Sequence, residues 1–222
     1  MSNYDINSNP ALVKLMIMNA KEGEEKYFFE HPDSLIPLFM SELREMGYGF
    51  EISSQIKGFM PKHKDIILPI AVRYYQNAKY DNEKDYFLSF FHFKGFEEVI
   101  PMLLDDFYSE IPSLPRASIG DTLYEICSKK YSDDYIKIIS NPKNGISRAP
   151  VILLVGKLKI EKAIPILIDL LDDNDVRAHA IIALGNYKRE EFRQYFEKFE
   201  NSKNSFIRAT PHRSQECGNV VK

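Results

Sequence analysis

The sequence predicts an all-α chain arranged as a right-handed α-solenoid of antiparallel helix pairs, and two periodic markers carry that expectation. The first is the dipeptide Arg-Ala, which recurs at Arg116, Arg148, Arg177 and Arg208, spaced by 32, 29 and 31 residues. The second is an apolar residue followed by proline, at Ile36-Pro37, Leu68-Pro69, Ile100-Pro101 and Ile164-Pro165, with the prolines 32, 32 and 64 positions apart. Self-similarity at such a period is the mark of stacked supersecondary units. Strand signals are almost absent, and Asn144-Gly145 lies between helical patterns rather than between alternating runs.

Proline is tolerated in the first turn of a helix and disfavoured further in, so each apolar-Pro pair is expected to open a first helix. A single period leaves one copy without its proline, near Asp133. The stretches PLFMSEL, PMLLDDF and PILIDLL continue from the prolines as short amphipathic turns. Turn formers follow: Pro112 to Pro115, the run from Asn141 to Gly145, and Asp-Asp-Asn-Asp at 172–175. The Arg-Ala segment then opens a second helix. The third and seventh residues after each Arg are apolar in three copies (Ile119 and Leu123, Val151 and Val155, Ala180 and Leu184). The fourth copy has Pro211 and Gln215 there and loses the apolar face. Asp175 or Asn174 is placed to cap the helix after Arg177. In FLSFFHFKGF, Phe87, Phe90 and Phe91 share one helix face and are expected in the core, with the helix ending near Gly95.

These signals divide the chain into irregular helical repeats over 1–95, regular repeats continuous with them over 96–209, and a polar tail over 210–222.

The stretch AIPILIDLLDDNDVRAHAIIALG at 163–185 resembles the short HEAT-like repeat common in bacterial proteins. The match runs through Pro165, Leu170, Leu171, Asp173, Asp175, Val176, Arg177, Ala180, Ala183, Leu184 and Gly185. The preceding copy matches at Arg148, Val155, Gly156 and Leu158, and the copy around Arg116 matches less fully. The resemblance implies a solenoid whose second helices line a concave, partner-binding surface, and a protein–protein interaction module such as a regulatory adaptor or an inhibitor. Some proteins with similar repeats are chromophore lyases or DNA-alkylation glycosylases, which keeps an enzyme as the alternative. A structural subunit of a larger complex is the third reading.

Composition narrows the choice. The net charge is −3, with 11 basic against 13 acidic residues in 1–96 and 18 against 19 in 97–222, so neither half is a basic nucleic-acid module. There is no Trp to stack on an extruded base. Cys127 and Cys217 are too few for a disulfide scaffold and wrongly spaced for zinc, which suits a reducing cytoplasm. The apolar stretch from Ala11 to Met18 is interrupted by Lys14 and lacks a basic leader, so neither a signal peptide nor a membrane span is expected.

No catalytic residue, cofactor or metal site is expected. The five histidines lack ligand spacing, and the acidic run at 172–175 lacks the ligand spacing, Gly and Glu of a calcium loop. No phosphate-binding glycine loop or nucleophile elbow is present. The row of Arg116, Arg148, Arg177 and Arg208 reads as architectural, each guanidinium pairing with hinge acids such as Asp173 and Asp175; an anion-binding ladder is the alternative. Offsets of two, five and nine from Arg fall between the apolar positions. They give Ser118, Asp121 and Glu125, then Pro150, Leu153 and Lys157, then His179, Ile182 and Asn186. Their mixed acidic, apolar and polar character suits a protein or peptide ligand. The pattern leaves the oligomeric state open.

Overall fold

A computed structural model describes residues 10–110 and 115–199, and among them every regular element is a helix. The chain divides into two compact units, 1–91 and 92–222.

The first unit contains α1 (Pro10–Glu30), α2 (Ile36–Glu45), α3 (Ile56–Phe59), α4 (Lys64–Asn77) and α5 (Asp81–Leu88). Aromatic packing dominates its core. The fully buried Phe39 ring lies 5.3 Å from Tyr74, 5.3 Å from Phe87 and 5.6 Å from Phe90, mostly edge-on, a geometry that favours the ring quadrupoles. Phe87, Phe90 and Phe91 are all buried, as their spacing predicts. The helix stops at Leu88 and continues only as a 3-10 turn, Ser89–Phe91, short of Gly95. The N-cap of α2 is Leu35, whose own side chain cannot cap it. The fully buried Glu83 of α5 does so instead: its Oε1 accepts from the Ser34 hydroxyl at 2.8 Å and from the Leu35 amide. A carboxylate at the positive end of a helix is favourable. Pro37 opens α2 as expected, but Pro69 lies inside α4 rather than at its start. The α4 helix begins earlier, at Lys64, with His63 accepting the first amide bonds from Ile66 and Ile67.

The second unit is more regular. It contains α6 (Ile100–Tyr108), α7 (Arg116–Ile126), α8 (Ser132–Ser140), α9 (Ala149–Lys157), α10 (Ile164–Asp169), α11 (Arg177–Gly185) and α12 (Arg193–Glu197). Helices α6, α8 and α10 start 32 residues apart, each directly after a three-residue 3-10 turn (Glu97–Val99, Lys129–Tyr131, Glu161–Ala163). Pro101 and Pro165 occupy the first turns of α6 and α10. The copy lacking proline starts at Ser132 with Asp133 and Asp134 in its first turn, acids that favour the helix dipole. Each first helix packs on its second (α6 on α7, α8 on α9, α10 on α11), and the second helices pack in a row, α7 on α9 on α11.

Two glycines set how closely that row packs. A Cβ on Gly120 of α7 would lie 3.2 Å from Pro150 of α9. A Cβ on Gly156 of α9 would lie 2.4 Å from the Ala183 Cα of α11, a contact that main chain cannot yield to. Counted from each Arg, the fourth residue of one copy meets the second of the next, and the eighth meets the sixth. Successive second helices are therefore offset by two residues, about 3 Å at 1.5 Å per residue.

Every second helix is followed by a left-handed residue at the eleventh position after its Arg: Cys127 (φ 58°), Lys159 (φ 51°) and Lys188 (φ 54°). The Lys159 and Lys188 amides donate to the Gly156 and Gly185 carbonyls, closing the helix ends. The place usually given to glycine is here held by cysteine and lysines.

Two stability outcomes follow. Gly156→Ala should lose about 2–3 kcal/mol, because overpacking forces α9 and α11 apart. Lys159→Gly and Lys188→Gly should each gain about 0.5–1 kcal/mol by removing a strained left-handed side chain. Urea unfolding of the purified variants checks both, and an unchanged midpoint for Gly156→Ala contradicts the packing read here.

Candidate functional site

Arg116, Arg148 and Arg177 stand at the starts of α7, α9 and α11, and their hydrogen bonds define what they do. Arg116 Nε donates to the Phe107 carbonyl at 2.8 Å and Nη2 to the Ser109 carbonyl at 2.8 Å, at the end of α6. Arg177 Nε donates to the Leu171 carbonyl at 2.6 Å and Nη2 to Asp172 O at 3.4 Å, just past α10. Arg148 bonds to Gly145 O at 2.9 Å and to Ile139 O of α8 at 3.4 Å. Each guanidinium thus sits where the preceding first helix runs out of partners for its carbonyls, a position favourable for positive charge.

The expected pairing with hinge acids holds for Arg148, whose Nη2 meets Asp173 Oδ2 at 2.5 Å. For Arg116 and Arg177 it gives way to these main-chain carbonyls. Asp175 does not cap α11: the N-cap is Val176, without a side-chain bond. The physical reason is the turn itself, in which Asp173 Oδ1 accepts from the Asp175 amide at 3.0 Å and Asp173 O accepts from the Arg177 amide at 2.8 Å. Burial pushes the Asp173 carboxyl up, but the Arg148 bond, the Asp175 amide and the Arg148 charge outweigh it and hold the group below its ordinary range. Arg148, 3% exposed, is therefore a clamp between successive copies. Arg208 lies outside the described residues, as do His212, Cys217 and the tail from 210 onward.

The offsets assigned to the outer face lie on the packed row α7, α9, α11, and none of them is buried. Asp121, Glu125 and Lys157 are exposed; Ser118, Pro150, Leu153, His179, Ile182 and Asn186 are half-buried. Asp121 and Glu125 are one turn apart on α7. Partial burial, and then the Glu125 charge, raise the Asp121 carboxyl. Neither acid has an ion-pair partner among the described residues. Lys157 lies 3.9 Å over the Tyr124 ring and donates to the Tyr124 carbonyl at 3.2 Å, so it joins α9 to α7 instead of neutralising the acids. On α11, burial lowers the His179 imidazole, and its Nδ1 is enclosed without a hydrogen-bond partner.

Three features escaped the sequence reading. Tyr124 receives Lys157. Tyr187, raised to about 12 by burial and by Glu161, donates to the Ile160 carbonyl at 2.7 Å and ties the end of α11 to the turn before α10. His92 Nε2 lies 2.9 Å from the Thr122 hydroxyl, which donates to Ser118 O. Thr122 is fully buried, so this histidine–hydroxyl pair is a tie and not a nucleophile with access to substrate. Only the aromatic character of position 124 and the polarity of position 122 could have marked these sites in advance.

Among the described residues no group of three His, Cys, Asp or Glu could hold a metal ion, and no helix is long and apolar enough to cross a membrane. No family model matches the chain, and neither a curated protein nor a solved structure matches it.

Two of the shifted groups, Asp173 and His179, give a pH dependence. The Asp173 shift is downward, so its stabilisation is complete above the ordinary carboxylate range near ~3.9 and is lost as pH falls through the folded value. Asp173→Asn should cost about 2 kcal/mol at pH 7, discounted from a fully buried pair because Asp173 is partly exposed, and the deficit should narrow towards pH 3. His179 is also shifted downward, so below about pH 6.5 the unfolded chain takes up a proton that the folded chain resists. His179→Leu should therefore flatten the loss of stability between pH 7 and 5. Urea midpoints from about pH 7 to 3 check both: an Asp173→Asn deficit that does not narrow towards pH 3, or a His179→Leu profile parallel to wild type between pH 7 and 5, counts against these assignments.

Proposed function

We propose that residues 96–199 form a HEAT-like stack of antiparallel helix pairs and that the protein is a non-enzymatic interaction module. Its binding surface is the face of α7, α9 and α11 bearing Ser118, Asp121, Glu125, Leu153, Lys157, His179, Ile182 and Asn186. The observation that carries this reading is the packed row of second helices with every one of these positions at least partly open to solvent. Three further points support it. The row repeats at a regular offset, so one extended ligand can span it. Among the described residues Arg116, Arg148 and Arg177 are engaged by carbonyls and Asp173, which speaks against a free anion ladder. The face presents unpaired carboxylates beside the aliphatic Leu153 and Ile182, a mixture suited to a protein or peptide partner in the cytoplasm.

The test is affinity purification with wild type and with Asp121→Lys/Glu125→Lys as bait, after circular dichroism has shown the variant folded. A partner retained by wild type and recovered at least tenfold less by the variant supports the reading, and binding to the purified partner should weaken to match. An identical set of partners at equal recovery overturns the assignment of this face.

A further inference from the structure

We propose that α1 is a self-association helix, whose outward face pairs antiparallel with α1 of a second copy of the chain. Helix α1 spans 21 residues and buries none of them. One side is tied to the first unit: Glu24 Oε1 accepts from the Ser53 amide at 2.8 Å, and the Tyr27 hydroxyl donates to Asn82 at 3.2 Å. The opposite side carries Lys14, Leu15, Met18, Glu22, Glu25 and Phe29 at helical spacing, all exposed. Leu15 is 50% exposed, Met18 56% and Phe29 88%, which is large apolar area left open on one stripe.

The charges on that stripe select the occupant. Lys14 lies one turn before Met18 and Glu22 one turn after it, and none of Lys14, Glu22 and Glu25 has an ion-pair partner among the described residues. Antiparallel pairing centred on Met18 sets Met18 against Met18 and places Lys14 of each copy beside Glu22 of the other. Two equivalent ion pairs then flank an apolar centre, the self-complementary arrangement that two-fold symmetry requires. Parallel pairing would stack lysine on lysine and glutamate on glutamate. A helix of this length is about 31 Å long at 1.5 Å per residue. One helical face falls short of the roughly 800 Å² per partner of a standard stable interface, so the association is weak and depends on concentration.

The experiment is sedimentation equilibrium of the full chain over a hundredfold range of protein concentration. The weight-average mass of wild type should rise from 25.8 kDa towards twice that value. Met18→Asp, Lys14→Glu and Glu22→Lys should each remain at the monomer mass throughout, while the double variant Lys14→Glu/Glu22→Lys should regain the wild-type rise. These positions are exposed, so thermal unfolding at low concentration should be unchanged and certifies the fold; should Met18→Asp fail to fold, the charge exchange decides alone. Constant monomer mass for wild type overturns the proposal, as does a double variant that stays monomeric. Wild type that stays monomeric yet co-sediments with phosphatidylcholine vesicles also overturns it, assigning the stripe to a lipid surface.

Discussion

The close approach of one second helix to the next is the constraint on which the second unit depends. At the α9–α11 junction there is no room for a Cβ on Gly156, because the Ala183 main chain occupies its place. At the α7–α9 junction the eighth position is Tyr124, far too large for that role, and the near contact appears one turn earlier, at Gly120 against Pro150. Each junction has one glycine, on the same face, moved by a turn. Dispersion between helices rises steeply as they close, so a missing side chain at one point lets neighbouring ones on either side interdigitate. The buried Val151, Val155, Ala180 and Leu184 complete these junctions from either side. Tyr124, released from the contact, carries Lys157 on its ring and so strengthens the same junction from the solvent side.

The close packing would be of little use if each helix pair could hinge, and the Arg row prevents that. A first helix ends with carbonyls that have no amide to accept from. The Arg that opens the second helix reaches back and supplies two donors in a fixed plane, fastening the end of one helix to the start of the next. Arg116 and Arg177 do this within their own pair. Arg148 does it and also reaches forward to Asp173, so one side chain fixes both the angle within a pair and the distance to the following pair. Burying that charge costs desolvation, which the carbonyls and the carboxylate offset. A lysine in its place would offer its donors from a single nitrogen, without the planar fork that reaches separate acceptors at once.

How much of this was legible in the letters varies from residue to residue. The helix that begins near Asp133 was legible without its proline, because a 32-residue period has to be filled and acids favour a first turn. The Arg row was legible as a row, but its partners were not, since a main-chain carbonyl has no letter. The α11 cap was misplaced because Asp173, Asn174 and Asp175 are all capable of it, and only the turn geometry chooses Asp173 as the acceptor. The left-handed residues at position eleven were hidden for the opposite reason. Cysteine and lysine occupy a conformation whose usual signature is glycine, held by backbone bonds from Cys127 to Leu123, Lys159 to Gly156 and Lys188 to Gly185. For the candidate face, exposure followed from helical spacing, whereas the Lys157–Tyr124 contact depends on the offset between helices.

In the first unit the prolines keep their 32-residue spacing, but the helices lose register with it. Pro37 keeps its place at the start of α2, yet α2 is capped by Glu83, a residue 48 positions from the Leu35 amide it bonds. Pro69 lies within α4, where a proline removes one helical hydrogen bond and the helix is held by what packs on it. That packing is aromatic: Tyr74 and Tyr75 of α4 meet Phe39, Phe87 and Phe91. Large rings matched edge to face fix helices by shape at a few points, while small residues fix them by a repeating close approach. The first mode tolerates irregular lengths and a displaced proline; with the second, the first helices α6, α8 and α10 keep a 32-residue spacing. The match between proline and helix start is therefore lost where the means of holding helices together changes from glycine and alanine to phenylalanine and tyrosine.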